Sequence, residues 1–321
     1  MKKISLYPFN TILLILLFMP NSCMYPQSDR QVKGNGMTVD KSYKVSEFHG
    51  IDVSCGFDVV LVQGNSEGLT VTAQENVFDY VKVNVEQGIL KIYTEKNIMS
   101  QKSMKARISF KNIDNLKVSG GGDITCETSL NVPVLDMHIG GGGDLNAEIN
   151  TDALTCRISG GGDAEIKGTI KNYNLEASGG GDVNSELDAD IIDCKVSGGG
   201  DLALKDKKKA SEAQFIMSGG GDIRLDINVE NAKCSVSGGG DATLTGQASN
   251  LEIIINGGGD VDAGNFLTTT TLLHVSGGSD IHVNVSKELS GNISGGGNVY
   301  YSGNPDNVSV DAKGGSKIIK Q

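Results

Sequence analysis

The sequence predicts an all-β protein, a single-stranded parallel β-helix (β-solenoid) with about 19–21 residues per coil. Three observations predict it. A short motif, Ser-Gly-Gly-Gly-Asp, returns again and again at a near-constant interval. The residues between its copies alternate apolar and polar, the period of a strand. Glycine accounts for 44 of 321 residues, about twice the usual ~7%, while proline is held to 5, which excludes collagen and Pro-rich linkers.

The motif first appears as Ser119-Gly-Gly-Gly-Asp123. Its last position is then occupied by Asp144, Asp163, Asp182, Asp201, Asp222, Asp241, Asp260 and Asp280, with Asn298 in the tenth copy and a worn copy around Lys317. The intervals are 21, 19, 19, 19, 21, 19, 19, 20 and 18 residues. A period near 20 marks a solenoid with one coil per repeat. Counting back from each Asp, the seventh and fifth residues are apolar, as in Cys156/Ile158, Cys194/Val196 and Ile253/Ile255. Counting forward, the first residue is always apolar, from Ile124 to Val299. Each coil therefore carries two short strands with inward apolar columns, joined by two turns. Coils stacked at ~4.8 Å pair strand to strand in parallel. The outward columns mix Lys, Arg, Glu and Asp, as a solvated ladder prefers.

The glycines suit a tight turn and the close approach of stacked backbones. The aspartates Asp123 to Asp280 are expected to be structural turn residues that accept turn N–H groups. Asp206-Lys-Lys-Lys209 supplies the extra residues of one long coil and is expected to protrude as a loop, as is 97–105. Residues 44–115 read as an irregular N-terminal cap and first coils, continuous with the regular solenoid 116–321. A cap is needed because the open end of a solenoid core must be closed.

The first 22 residues read as a signal peptide: Lys2 and Lys3, then the apolar run 11–19, too short to span a bilayer as a helix. Pro20-Asn21-Ser22-Cys23 resembles a bacterial lipoprotein cleavage site, so Cys23 is the expected lipidation residue and the lipid bilayer an expected partner. Residues 23–43 are polar and read as a tether.

The stretch from Phe48-His-Gly-Ile-Asp-Val through Gly64, the later Val81-Lys-Val-Asn-Val-Glu-Gln-Gly-Ile-Leu-Lys-Ile92, and the Ser-Gly-Gly-Gly-Asp coils together resemble a bacterial family. It is the family described as putative auto-transporter adhesin, head GIN domain, common in Bacteroidetes envelopes. The resemblance spans about residues 44 to 310. It implies a right-handed β-helix in exported proteins and brings no catalytic residues with it. The repeats run on to the last residues of the sequence, so no array of barrel strands for self-translocation is expected in it.

Composition excludes some classes. The formal charge is −11 and no basic patch stands out, against nucleic acid as a partner. Tryptophan is absent, which disfavours a sugar-stacking cleft. No enzyme activity and no cofactor are expected. Ca2+ is the one weak metal candidate, at Asp163, Asp182, Asp201, Asp222 and Asp241, because a column of carboxylates ~4.8 Å apart repels itself and a cation would offset that. Cys156, Cys194 and Cys234 recur in one apolar column two coils apart, too far for a disulfide, and read as isolated buried thiols, with Cys126 and Cys55 elsewhere. The four histidines are scattered and read as solvated.

The expectation is an exported, non-catalytic cell-envelope protein, an outer-membrane lipoprotein whose solenoid is structural or adhesive toward a glycan or protein surface ligand. A periplasmic scaffold and a polysaccharide-active β-helix enzyme are the alternatives.

Overall fold

A computed structural model describes residues 31–99 and 102–321. The chain is 73% strand and winds into a β-solenoid of about 11 turns. One 23-stranded sheet takes in nearly every strand from Thr38 to Lys320, and a two-stranded pair, Gln31–Lys33 with Asn97–Met99, lies beside it.

The coils stack in register along the strand that leads into each glycine turn, with shifts confined to the strand that follows it. Leu145–Gly160 pairs in parallel with Ala164–Gly179, setting Cys156 beside Leu175, Ile158 beside Ala177 and Gly160 beside Gly179. The same columns continue through Cys194, Phe215, Cys234 and Ile253. All of these side chains are buried. They form one continuous core, because each coil alone has too little apolar surface to bury and must lean on its neighbours.

The two expected turns of a coil are unequal. At the glycines the strand breaks. At the other end the chain bends without leaving the ladder, so Leu145–Gly160 is a single strand of 16 residues. There the inward alternation slips by one residue: Thr151 points in, Asp152 and Ala153 do not, and Leu154 points in again. Two consecutive outward residues let both halves of a period-2 strand face the same core. The same slip recurs at Lys171-Asn172, Asp190-Ile191 and Glu230-Asn231.

Two expectations are corrected. Residues 23–43 are not all tether: Thr38–Tyr43 pairs antiparallel with Gly68–Gln74, with Val39 and Tyr43 half-buried. The Lys-rich insertion is not a protruding loop. It lies inside strand Leu202–Gly219 as a register shift between Lys205 and Lys209. Its lysines fold back onto neighbouring coils, Lys207 on Glu186 at 3.0 Å, Lys209 on Glu230 at 2.8 Å and Lys208 on Asp190.

The N-terminal cap mixes directions. Gly50–Val53 and Phe57–Gln63 lie between the first regular coil and a coil made of Ile89–Thr94 and Met104–Phe110. Strands Val81–Glu86 and Gly68–Gln74 then pair antiparallel along the outer edge of that coil, and the 3-10 turn Glu75–Val77 lies beside them with Val77 fully buried.

Candidate binding surface

Gly198-Gly199-Gly200 represents the glycine edge. Gly198 has φ +118°, and a Cβ there would sit 2.1 Å from the Gly179 carbonyl oxygen of the coil below. A Cβ on Gly200 would sit 2.0 Å from the Gly181 oxygen. A Cβ on Gly199 would meet nothing within 4 Å. Two of the three glycines are thus demanded by close stacking, and the middle one is an exposed bead on the surface.

The aspartates that follow form a hydrogen-bonded ladder. Each Oδ1 accepts the backbone N–H of the next Asp along the stack: Asp163 N–H to Asp144 at 2.9 Å, Asp182 to Asp163 at 2.9 Å, Asp201 to Asp182 at 2.9 Å and Asp222 to Asp201 at 2.8 Å. The ladder begins on Asp58, passes Asp123, Asp241, Asp260 and Asp280, and ends on the N–H of Asn298. The donor is the next aspartate's own amide rather than a glycine's. Each carboxylate therefore holds one coil to the next, and every rung sets a partial positive N–H against the repulsion between neighbouring charges. Asp201 is held below the usual carboxylate range, first by the Asp222 amide and then by Arg224, whose guanidinium lies 3.0 Å from its other oxygen. Among the described residues, no group of three or more His, Cys, Asp or Glu side chains is arranged to hold a metal ion.

The outward columns are laced by ion pairs. Arg157 bridges Asp136 at 2.9 Å and Glu176 at 3.2 Å, and Lys233 meets Glu252 at 3.0 Å. Such exposed pairs contribute little stability each, about 0–1 kcal/mol. Their effect is a surface with its charges locally balanced.

A groove of about 630 Å3 runs along the solenoid across six coils, from Ile191 to Ser290. Its floor is an inward row that includes the small, buried Ala213 and Ala232. One wall carries an amide and hydroxyl ladder: Thr270 Oγ1 donates to Asn250 Oδ1 at 2.6 Å and Asn250 Nδ2 to Asn231 Oδ1 at 2.8 Å. Exposed Ile191 lines it in the first of these coils and exposed Leu272 in the fifth. Its two walls are the outward rows that run from Ile191 to Glu288 and from Asp193 to Ser290, on either side of one inward row, the ordinary alternation of a strand. Sequence reasoning did not find it, because the alternation is the same here as in the other columns.

Cys156, Cys194 and Cys234 are free thiols and fully buried, and Cys126 is free and half-buried. Burial pushes the Cys156 and Cys234 thiols up to about 12 and Cys194 well above its ordinary value. Cys55 departs from the expectation of isolated thiols. It is disulfide-bonded, at φ +72° in the cap, with its partner outside the described residues. Cys23 lies outside them as well. His138 joins the Asp136–Arg157 network at 3.2 Å, and His282 stacks on Tyr300 with centroids 4.7 Å apart.

One carboxylate is out of place. Asp206 is buried in an inward column between Leu187 and Ile227, where the Lys insertion breaks the ladder. Its Oδ1 accepts Ala189 N–H at 2.9 Å and Lys208 N–H at 3.4 Å, two amides that the bulge takes out of strand pairing. Its Oδ2 has no partner. Burial pushes this carboxyl up to about 6, against the lowering effect of those two amides.

These features define a class: a capped parallel β-solenoid whose repeat is a glycine corner fastened by an aspartate ladder. The chain belongs to the family described as putative auto-transporter adhesin, head GIN domain, whose sequence model matches residues 47–211 and 201–305. Similar solved structures include one titled a putative lipid binding protein from Parabacteroides distasonis, 21% identical, covering 91% of this chain and 100% of that one at a TM-score of 0.41. A putative adhesin from Bacteroides fragilis is 17% identical, with coverage of 90% and 100% and a TM-score of 0.33. A putative adhesin from Parabacteroides distasonis is 18% identical, with 91% and 100% covered and a TM-score of 0.40. No curated protein matches the chain.

Proposed function

We propose that the protein is an exported, non-catalytic adhesive rod, anchored to the outer membrane by lipid on Cys23 and held away from the membrane by its N-terminal segment. The observation that carries this is the continuous stack of about 11 turns with its mixed-direction cap at the N-terminal end. Such a body is stiff along its axis, and at ~4.8 Å per coil it reaches about 50 Å from the cap. A rigid scaffold tethered at one end presents its long faces and far tip to whatever approaches. Side-chain contacts to a surface glycan or protein would fall along the groove from Ile191 to Ser290, which crosses six coils. A polysaccharide-active enzyme and a periplasmic scaffold are the rival roles, and Ca2+ on the outer oxygens of Asp163 to Asp241 remains a proposal beside them.

The anchor has a chemical condition. A thioether-linked lipid and a disulfide cannot share one sulfur, and the chain's other four cysteines are free, so lipid on Cys23 requires Cys55 to be bonded to a thiol of another molecule or reduced. Mass spectrometry of the N-terminal peptide from native membranes tests this. The proposal expects an acylated Cys23. A Cys23–Cys55 disulfide, or cleavage elsewhere with Cys23 unmodified, removes the lipid anchor. Attachment of wild-type and deletion strains to host-type glycans and matrix proteins tests adhesion, and equal attachment removes it.

A further inference from the structure

Each wall of the groove takes one residue from each successive coil, so the groove runs along the rod axis and suits a linear chain. Its charges are uneven. Four carboxylates line it, on Asp193, Glu212, Glu252 and Glu288, against one ammonium, on Lys233. Asp193 and Glu252 are matched, by Lys195 at 3.4 Å and by Lys233 at 3.0 Å. Glu212 and Glu288 stand exposed in the same wall, and among the described residues no cation pairs with either. Between them the wall holds Asn231, Asn250 and Thr270. The side-chain ladder there uses one N–H of Asn250 and leaves the other, and both N–H groups of the Asn231 amide lack an acceptor among the described residues.

This wall asks a ligand for two cations and, between them, hydrogen-bond acceptors. A neutral glycan supplies the acceptors and no cation, and no aromatic side chain is among the lining residues to stack on its rings. A polyamine supplies the cations and no acceptors. A peptide bearing Lys or Arg supplies both, because its backbone carbonyls accept. The spacing fits as well. Glu212 and Glu288 are four coils apart, which is ~19 Å at ~4.8 Å per coil. Six residues of extended chain advance ~20 Å at ~3.3 Å each, and an even separation sets both side chains on one face.

We propose that the groove docks an extended segment of another protein, lying along the rod axis. Two basic side chains, six residues apart, sit on Glu212 and Glu288. Small or aliphatic side chains between them cover the floor at Ala213 and Ala232, beside exposed Leu272. The inference deepens the adhesive role proposed above by naming a basic protein segment as the ligand, and it rests on that role only for its use on the cell.

Fluorescence anisotropy of the processed chain with a labelled synthetic peptide tests this, the peptide carrying two lysines six residues apart with valine and serine between. The expected result is saturable binding that weakens as salt rises. The same composition with the lysines five apart, on opposite faces, should bind more weakly. Glu212→Gln and Glu288→Gln lie at exposed positions and should keep the far-ultraviolet circular dichroism, while each weakens binding about 2–5-fold. Glu212→Lys should reject the peptide and accept one with glutamate in place of one lysine. No binding, equal binding of the five-apart peptide, or indifference to both Glu→Gln variants would overturn the proposal, as would binding of chitosan oligosaccharides in its place. If the double variant loses the peptide while cells bearing it still attach to matrix proteins, the site stands and adhesion through it fails. If the peptide never binds and wild-type cells still attach, the inference fails and the adhesive role stands.

Discussion

Alanine at three consecutive glycines of one coil separates what the stack demands from what it merely carries. At Gly198 the backbone has φ +118°, and the added Cβ lies 2.1 Å from the Gly179 oxygen, which accepts the Gly199 N–H at 2.9 Å. The coils must part by about 1 Å locally to restore van der Waals contact. The left-handed backbone costs about 1–2 kcal/mol, overpacking about 1–3, and the opened hydrogen bond about 1. Gly198→Ala is therefore expected to destabilise by about 3–6 kcal/mol. Gly200→Ala has no such φ, but its Cβ lies 2.0 Å from the Gly181 oxygen, so about 2–4 kcal/mol is expected. Gly199→Ala has open space on all sides and is expected to fall within about ±0.5 kcal/mol. Guanidinium unfolding followed by far-ultraviolet circular dichroism measures all three, and placing them in one coil keeps the unfolding unit the same. A Gly199→Ala loss equal to its neighbours', or silent flanking variants, would refute the reasoning from carbonyl contact.

Asp206 predicts an inverted pH response. Its folded pKa, about 6, stands above the ordinary 3.8, so the folded chain binds the extra proton and this group's contribution to stability falls as pH rises from 3.8 to 6. Asp206→Asn keeps an acceptor for the Ala189 amide without the charge; a gain of about 1–3 kcal/mol at pH 7.5 and a flatter profile between pH 4 and 6 are expected from denaturation at several pH values. No gain at pH 7.5 would contradict the buried-charge account. Asp182→Ala leaves the Asp201 amide without its 2.9 Å acceptor and should cost about 1 kcal/mol, while Asp182→Asn should cost less, read by the same unfolding assay. Cys156, Cys194 and Cys234 should resist iodoacetamide at pH 8 in the native protein and react fully in denaturant; rapid native labelling, seen by mass spectrometry, would mean the core column opens. Tyr173→Phe removes a buried 2.9 Å hydrogen bond to Ser185 and should lower stability by about 1 kcal/mol in urea titrations.

The core was legible because two periods reinforce each other. The strand period of two placed Cys194 and Val196 inward, and the motif period near 20 put each of them in a column with its counterparts. The Asp column was legible as position but not as partner, since the accepted amide belongs to the next coil and only register reveals it. Asp206 was illegible for a different reason. Followed by three lysines it resembles a solvated loop, and only its place between Leu187 and Ile227 identifies it as a core position repairing a broken ladder. Thr38–Tyr43 was misjudged because its partner, Gly68–Gln74, runs antiparallel in a region without the repeat. The groove lies over an ordinary inward row that includes small Ala213 and Ala232 between two outward rows, and alternation alone does not distinguish that row from its neighbours.

Accessibility of the rod on living cells bears most directly on the proposed role. Lys207, Lys208 and Lys209 are exposed but lie within a paired strand, so a membrane-impermeant amine-reactive biotin suits them better than a protease. Intact cells are treated, and the labelled lysines are identified by mass spectrometry. The account predicts label on these lysines without permeabilisation. Label that appears only after the outer membrane is opened would place the rod inside it and contradict an adhesive function.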